Sequence, residues 1–266
     1  MMAGHAMRMR FTCLLLASAL TGCTTQTIFK NYFDSYQTGI MPNGAVPGAP
    51  GNDSIDAYVA ELGDQGKPFN NVKVTEGIPP TIGPITGAGK SLGFWPYNSP
   101  THGNGTVRMT SRVVTGGSAK RLNVFFDGKK FDSNARFECD LLGNSGQPGG
   151  LQKVMTLRLD GTTIKTTDPA PYFQTAGNLS TAQPGQDAPV HEVFIAFNPS
   201  NNTYALRVTL HNNNVIAYDG ATPAGAGSLF ENNSSRLLLY CAQNATGTGA
   251  TPTYMLDRVR MRMKPK

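Results

Sequence analysis

Glu138 and Asp140 are the residues whose type and spacing come nearest to a reaction. They alternate in the strand-like run Arg136-Phe137-Glu138-Cys139-Asp140-Leu141, so both carboxylates share a face with Arg136 while Phe137, Cys139 and Leu141 take the other. Hydrolysis of a glycosidic bond needs such a pair a few ångströms apart, one carboxyl protonated as acid and the other ionised as nucleophile or base. Any strand with a solvated outer face yields the same pattern without chemistry. Phe94-Trp95-Pro96-Tyr97 holds the single tryptophan. Exposed, Trp95 and Tyr97 would stack on the C–H faces of sugar rings, with Arg136 as a polar ligand contact; buried, Trp95 would fill the core. Near the carboxyl end, Arg258, Arg260 and Arg262 alternate with Val259, Met261 and Met263, and Lys264 and Lys266 follow. That basic side either draws in a polyanion, in a salt-sensitive way, or keeps strand edges from pairing between molecules.

These residues must be positioned mainly by strands. The chain has 266 residues, 39% hydrophobic and 15% charged, with 30 Gly and 18 Pro, a composition suited to many short strands and tight turns. Alternation or short apolar runs predict strands at 107–114, 122–126, 136–141, 154–159, 193–197, 204–210, 215–218, 236–241 and 254–263. Gly116-Gly117, Asp127-Gly128, Asp160-Gly161 and Asn212-Asn213-Asn214 supply turns, the last making 204–218 a hairpin. Gln174 to Pro189 reads as a surface loop. One short helix is predicted: Asp53 caps it, Ile55, Tyr58, Val59 and Leu62 share its apolar face, and Gly63 ends it.

The first residues carry an export arrangement: Arg8 and Arg10, an apolar run from Phe11 to Leu20, then Leu20-Thr21-Gly22-Cys23. An apolar run of about ten residues is too short to span a bilayer, which needs about twenty in a helix. Leu20-Thr21-Gly22-Cys23 resembles the lipobox of bacterial lipoproteins. The resemblance implies a signal peptide at 1–22, acylation of Cys23, a tether over 23–30, and attachment to the lipid bilayer of the outer membrane, since Thr24 stands where aspartate would favour inner-membrane retention. Several acyl chains anchor far more firmly than one. The remaining 31–266 form one domain. Net charge is +6, dropping by two to +4 when Arg8 and Arg10 leave, which is too mild to point to nucleic acid. Export also makes Cys139 and Cys241 candidates for a disulfide, because oxidising compartments preserve such bonds. Both lie on apolar strand faces. A bond closing about 100 residues would contribute about 4 to 5 kcal/mol in the chain-entropy model; two buried thiols are the other reading.

Phe33-Asp34-Ser35-Tyr36-Gln37-Thr38-Gly39 with Pro42-Asn43-Gly44, then Gly89-Lys90-Ser91-Leu92, the 204–218 hairpin and Met255-Leu256-Asp257-Arg258-Val259 resemble landmarks of concanavalin A-like lectin/glucanase (LamG-like) jelly-roll domains. The resemblance implies an all-β, two-sheet antiparallel β-sandwich with its first and last strands close together, and the predicted helix then sits in a loop. It also implies that Asp34 and Asp257, near those ends, could share a structural calcium as in similar modules; turn hydrogen bonding explains them too. Such domains bind glycans, cleave them, or serve as interaction modules, so the fold does not choose. Phe137-Glu138-Cys139-Asp140 does not reproduce the acidic signature of the glucanases. Pro84 to Ser91 lacks the leading glycine and following helix of a phosphate-binding loop, and His191-Glu192 lacks a second zinc histidine four residues on. The expected function is a lipid-anchored envelope module that binds a glycan or other envelope polymer. A glycosidase or polysaccharide lyase, or a structural surface-assembly lipoprotein, are the alternatives.

Overall fold

Alternating apolar and polar residues cannot bury their apolar side alone, so sheets built from them must stack. The computed structural model of this chain describes residues 25–34, 36–38, 43–44, 55–61, 71–76, 85, 89–96, 106–111, 114–115, 119–132, 135–144, 150–168, 173–181, 186–230, 234–243 and 252–265. In chain order the strands are β1 (Gln26–Asn31), β2 (Asn43–Gly44), β3 (Ile55–Glu61), β4 (Asn71–Thr75), β5 (Ser91–Trp95) and β6 (Thr106–Ser111). There follow β7 (Val114–Thr115), β8 (Ala119–Lys130), β9 (Ala135–Asn144), β10 (Leu151–Asp160), β11 (Thr163–Thr167) and β12 (Phe173–Asn178). The last are β13 (Val190–Asn198), β14 (Thr203–Thr209), β15 (Val215–Ala221), β16 (Ser234–Gln243) and β17 (Tyr254–Pro265), with a 3-10 turn at Ala226–Phe230.

The strands form two antiparallel sheets. The first runs β15-β14-β13-β8-β17-β5-β4 with β1 also paired to β17, and the second runs β12-β11-β10-β9-β16-β6-β3-β2 with β7 on β16. The first and last strands are therefore neighbours, Phe29 opposite Met261. Between the sheets lies an apolar core in which the Phe137 ring stacks on Tyr254 at 3.8 Å and takes Phe94 and Phe126 edge-on at 5.8 and 6.1 Å. This is the all-β jelly-roll sandwich expected.

All nine predicted strand regions are strands or, at 107–114, contain two. The 204–218 hairpin forms around Asn213, whose φ is 63°, and Gly161 at φ 59° turns β10 into β11. Four local expectations change. Residues 55–61 are strand β3, not a helix: Ile55-Asp56-Ala57-Tyr58-Val59 carries a two-residue period as well as helical spacing, and pairing with β6 selects the former. Residues 26–30, expected in the tether, are taken into the first sheet by β17. Phe173–Asn178 is an edge strand, not loop. Gly128 lies inside β8, and its missing side chain leaves room for Tyr254: a Cβ there would stand 2.0 Å from the Tyr254 hydroxyl oxygen. The signal, Cys23, Tyr97 and Gly116-Gly117 lie outside the described residues.

Candidate functional site

On the outer face of the second sheet, β9 brings Glu138 and Asp140 together with Arg136 as its alternation requires, yet this face is not open. Glu138 is 1% and Asp140 0% exposed. Arg158 of β10, directly opposite Glu138, donates from Nε to Glu138 Oε1 at 2.5 Å, and Arg136 Nε stands 3.2 Å from the same oxygen. The Arg158 guanidinium is also packed 3.8 Å over the Phe173 ring. Asp140 receives the Thr156 hydroxyl at 2.5 Å and pairs with Lys153 at 2.7 Å. Burial raises the Asp140 carboxyl above its ordinary range, against the opposing effect of Lys153 and Thr156. With Arg158 donating to it and Arg136 close by, Glu138 is engaged within the sheet. The pair reads as a shielded ion-pair network rather than an acid and base awaiting substrate.

The outer face of the first sheet is arranged differently. Core-facing Leu122, Val124 and Phe126, Ile195 and Phe197, and Met261 and Met263 leave their alternate neighbours pointing outward. Register then sets these in rows across the strands. Arg260, Phe125, Phe194 and Arg207 form one row over β17, β8, β13 and β14. Arg262, Asn123, Ala196, Ala205 and Asp219 form the next, continuing onto β15. Next along, Lys264 is opposite Arg121 and Asn198 is opposite Thr203, and these make the third. A cleft of about 840 Å³ opens between the small side chains of the middle row and the third row, lined by Arg121, Lys264, Ala196, Asn198, Ala205 and Asp219 among others, and Asn123 and Arg262 adjoin it by register. A second hollow of about 190 Å³ lies beside Phe125, Phe194, Arg258 and Arg260.

Charges along this face are unevenly matched. Arg207 holds Asp219 at 2.7 Å, and Asp168 at the far rim accepts the Tyr218 hydroxyl at 2.5 Å and the Ala221 N–H at 2.7 Å. That bond to Asp168 pushes the Tyr218 hydroxyl up to about 12. Arg258 sits at φ 50°, in a bulge where β17 slips register against β8, which aims it at Asp127 and to within 3.7 Å of Glu192. Burial raises the Asp127 carboxyl despite Arg258. Of the three predicted arginines, then, Arg258 is engaged. Arg260 and Arg262, with Arg121, form no ion pair among the described residues; their guanidinium carbons stand 5.4 and 5.6 Å from the Phe125 centroid, and the Nε of each is shielded without an acceptor.

Other predicted residues fall elsewhere. Trp95 is 4% exposed, laid back along β5 across Gly93, so it offers no sugar platform. Cys139 and Cys241 meet as neighbours on the core face, but as free thiols rather than a disulfide. Cys139 faces Leu239 and Cys241 faces Phe137, a diagonal relation whose spacing of about 7 to 8 Å exceeds what a disulfide spans. Cys241 Sγ instead lies 2.9 Å from the Thr253 hydroxyl, and burial pushes its thiol up to about 11. Asp257 accepts the adjacent Arg258 N–H, a local bond, whereas Asp34 accepts the N–H of Lys90, far along the chain. No cluster of three or more His, Cys, Asp or Glu that could hold a metal occurs among the described residues. His191 is buried against the Tyr254 hydroxyl at 2.8 Å, and His211 is in the exposed β14–β15 turn.

Sequence reasoning missed Phe125, Phe194, Arg121 and the alanine floor. The signal was present as the breaks in alternation at Phe125 and Phe194, where apolar residues stand on the outward side.

No family model matches the chain, and no curated protein matches it. Solved structures do. The endo-1,3-beta-glucanase of Streptomyces sioyaensis is similar at 13% identity and a TM-score of 0.51, over 92% of this chain and 98% of that one. The CBM2 module of the Lactobacillus casei BL23 phage J-1 evolved Dit is similar at 10% identity and a TM-score of 0.52, over 91% and 96%. These likenesses show a shared jelly-roll fold.

Proposed function

We propose that this chain is a cell-envelope module that binds a glycan without cleaving it, held at the outer membrane by acyl chains on Cys23. The observation that carries the reading is the contrast between a groove open on the first sheet and a carboxylate pair shut away on the second. Glu138 and Asp140 are buried and ion-paired, which removes the groups a hydrolase on this face would need. The cleft on the first sheet is roomy enough for a ligand of several rings and is lined by residues from five strands. The jelly-roll scaffold shared with a glucanase and a CBM2 module supports a carbohydrate ligand. The order of basic, apolar and small residues ending in Cys23 supports the anchor.

A glycan-array screen of the detergent-purified chain, run beside assays for polymer degradation, tests this reading. Binding without release of reducing ends or unsaturated products is expected; turnover of any polymer would overturn it in favour of a carbohydrate-active enzyme. Metabolic labelling with palmitate tests the anchor, with label expected on the wild type and none on Cys23→Ser.

A further inference from the structure

We infer that the groove on the first sheet takes an acidic polysaccharide chain laid across the strands, with Arg121 and Arg262 reading its anionic groups. The inference rests on the glycan-binding reading above and names the class of glycan.

Direction comes from the floor. Asn123, Ala196 and Ala205 are in register on three adjacent strands, so the depression runs perpendicular to them. With strands about 4.8 Å apart, a floor from Arg262 on β17 to Asp219 on β15 is about 19 Å long. A linear polymer fits such a trough better than a single small molecule, which would leave most of it wet. The surroundings suit sugars: Asn198 and Thr203 line the polar side of the cleft, and the half-buried Phe125 and Phe194 rings, with centroids 4.7 Å apart, stand one row beyond the floor on the other side.

Sign comes from the unmatched charges. At the β15 end Asp219 is ion-paired with Arg207, whereas Asp168 accepts only the neutral Tyr218 and Ala221 donors and keeps its charge, which leaves the opposite end of the floor as the one that would draw an anion. At the β17 end Arg121 lines the cleft and Arg262 stands beside it one row over, with no carboxylate paired to either among the described residues, and Lys264 is opposite Arg121. Arg262 also keeps a shielded Nε without an acceptor. Guanidinium groups over an aromatic ring are weakly hydrated and matched in shape to carboxylate or sulfate, so an anionic substituent arriving there gains charge-assisted hydrogen bonds at small desolvation cost. Neutral glycans would gain only the stacking.

The test is affinity electrophoresis of the full chain, in mild detergent, through gels containing polygalacturonate, dextran sulfate or neutral dextran, at several salt concentrations. Wild type should be retarded by the acidic polymers and not by dextran, and retardation should fall steeply with salt. R121Q/R262Q should weaken retardation tenfold or more and lessen the salt dependence, with an unchanged thermal midpoint showing that the fold is intact. Phe125→Ser, which leaves both cations, should weaken it severalfold. Undiminished retardation of R121Q/R262Q would overturn the assignment of these two arginines. Retardation by dextran alone would overturn the acidic class while leaving glycan binding standing, and a chain bound by no glycan at all, acidic or neutral, would fail both. Capture of the chain by phosphatidylglycerol vesicles, lost in R121Q/R262Q and without retardation by any polymer, would assign the face to a membrane surface instead.

Discussion

The two outer faces of this sandwich are built by the same two-residue period and reach opposite outcomes. On the second sheet, β9 and β10 set Glu138 opposite Arg158 and bring Lys153 to Asp140, so both buried acids are ion-paired within the sheet. On the first, β17 contributes arginines whose cross-strand neighbours are Phe125 and Asn123, which cannot neutralise them. A charge on a strand therefore says little about function until its neighbour on the next strand is known. One face pairs its charges within the sheet; the other pairs Arg258 and Arg207 but leaves Arg121, Arg260 and Arg262 without an ion-pair partner among the described residues.

Mutations should separate the faces by stability. Glu138→Gln leaves two guanidinium groups facing a neutral amide, and loss of one partner from a buried pair costs about 3 kcal/mol, read as a lower urea midpoint. If it costs nothing, the second face is no structural network and the comparison breaks. Gly128→Ala, between the faces, puts a methyl within 2.0 Å of the Tyr254 oxygen and should cost about 2 kcal/mol through overpacking of the core that both sheets share. Thermal denaturation against pH sharpens the picture of that core. Burial lowers His191 from 6.5 to about 3, so the folded state holds it neutral while the unfolded chain takes up a proton below pH 6.5. Its contribution to stability is full above that pH and is lost as pH falls toward 3; His191→Gln should flatten this part of the profile. Smallest of all, Arg262→Gln should change the unfolding free energy by no more than about 0.5 kcal/mol, as expected of a surface position outside any ion pair. A loss as large as that of Glu138→Gln would mean that both faces are structural.

Much of this architecture was legible because strand period and turn chemistry are local. The 204–218 hairpin follows from Asn212-Asn213-Asn214 between two alternating runs, and β9 and β17 follow from their alternation. Residues 55–61 were misread because their apolar positions satisfy two periods, and only pairing with β6 breaks the tie. The site was legible in part. Arg260 and Arg262 stood out, whereas the groove did not, since it depends on Ala196 and Ala205 being neighbours of Asn123, a fact of register between distant strands. Trp95 and the acid pair misled for a related reason: alternation predicts a face but not what covers it.

Electrophoretic retardation by polygalacturonate, compared between R121Q/R262Q and E138Q/D140N, tests the division of labour most directly. Binding lost in the first and kept, without any breakdown of the polymer by the wild type, in the second is the result this account predicts. Binding kept in the first and lost in the second would contradict it.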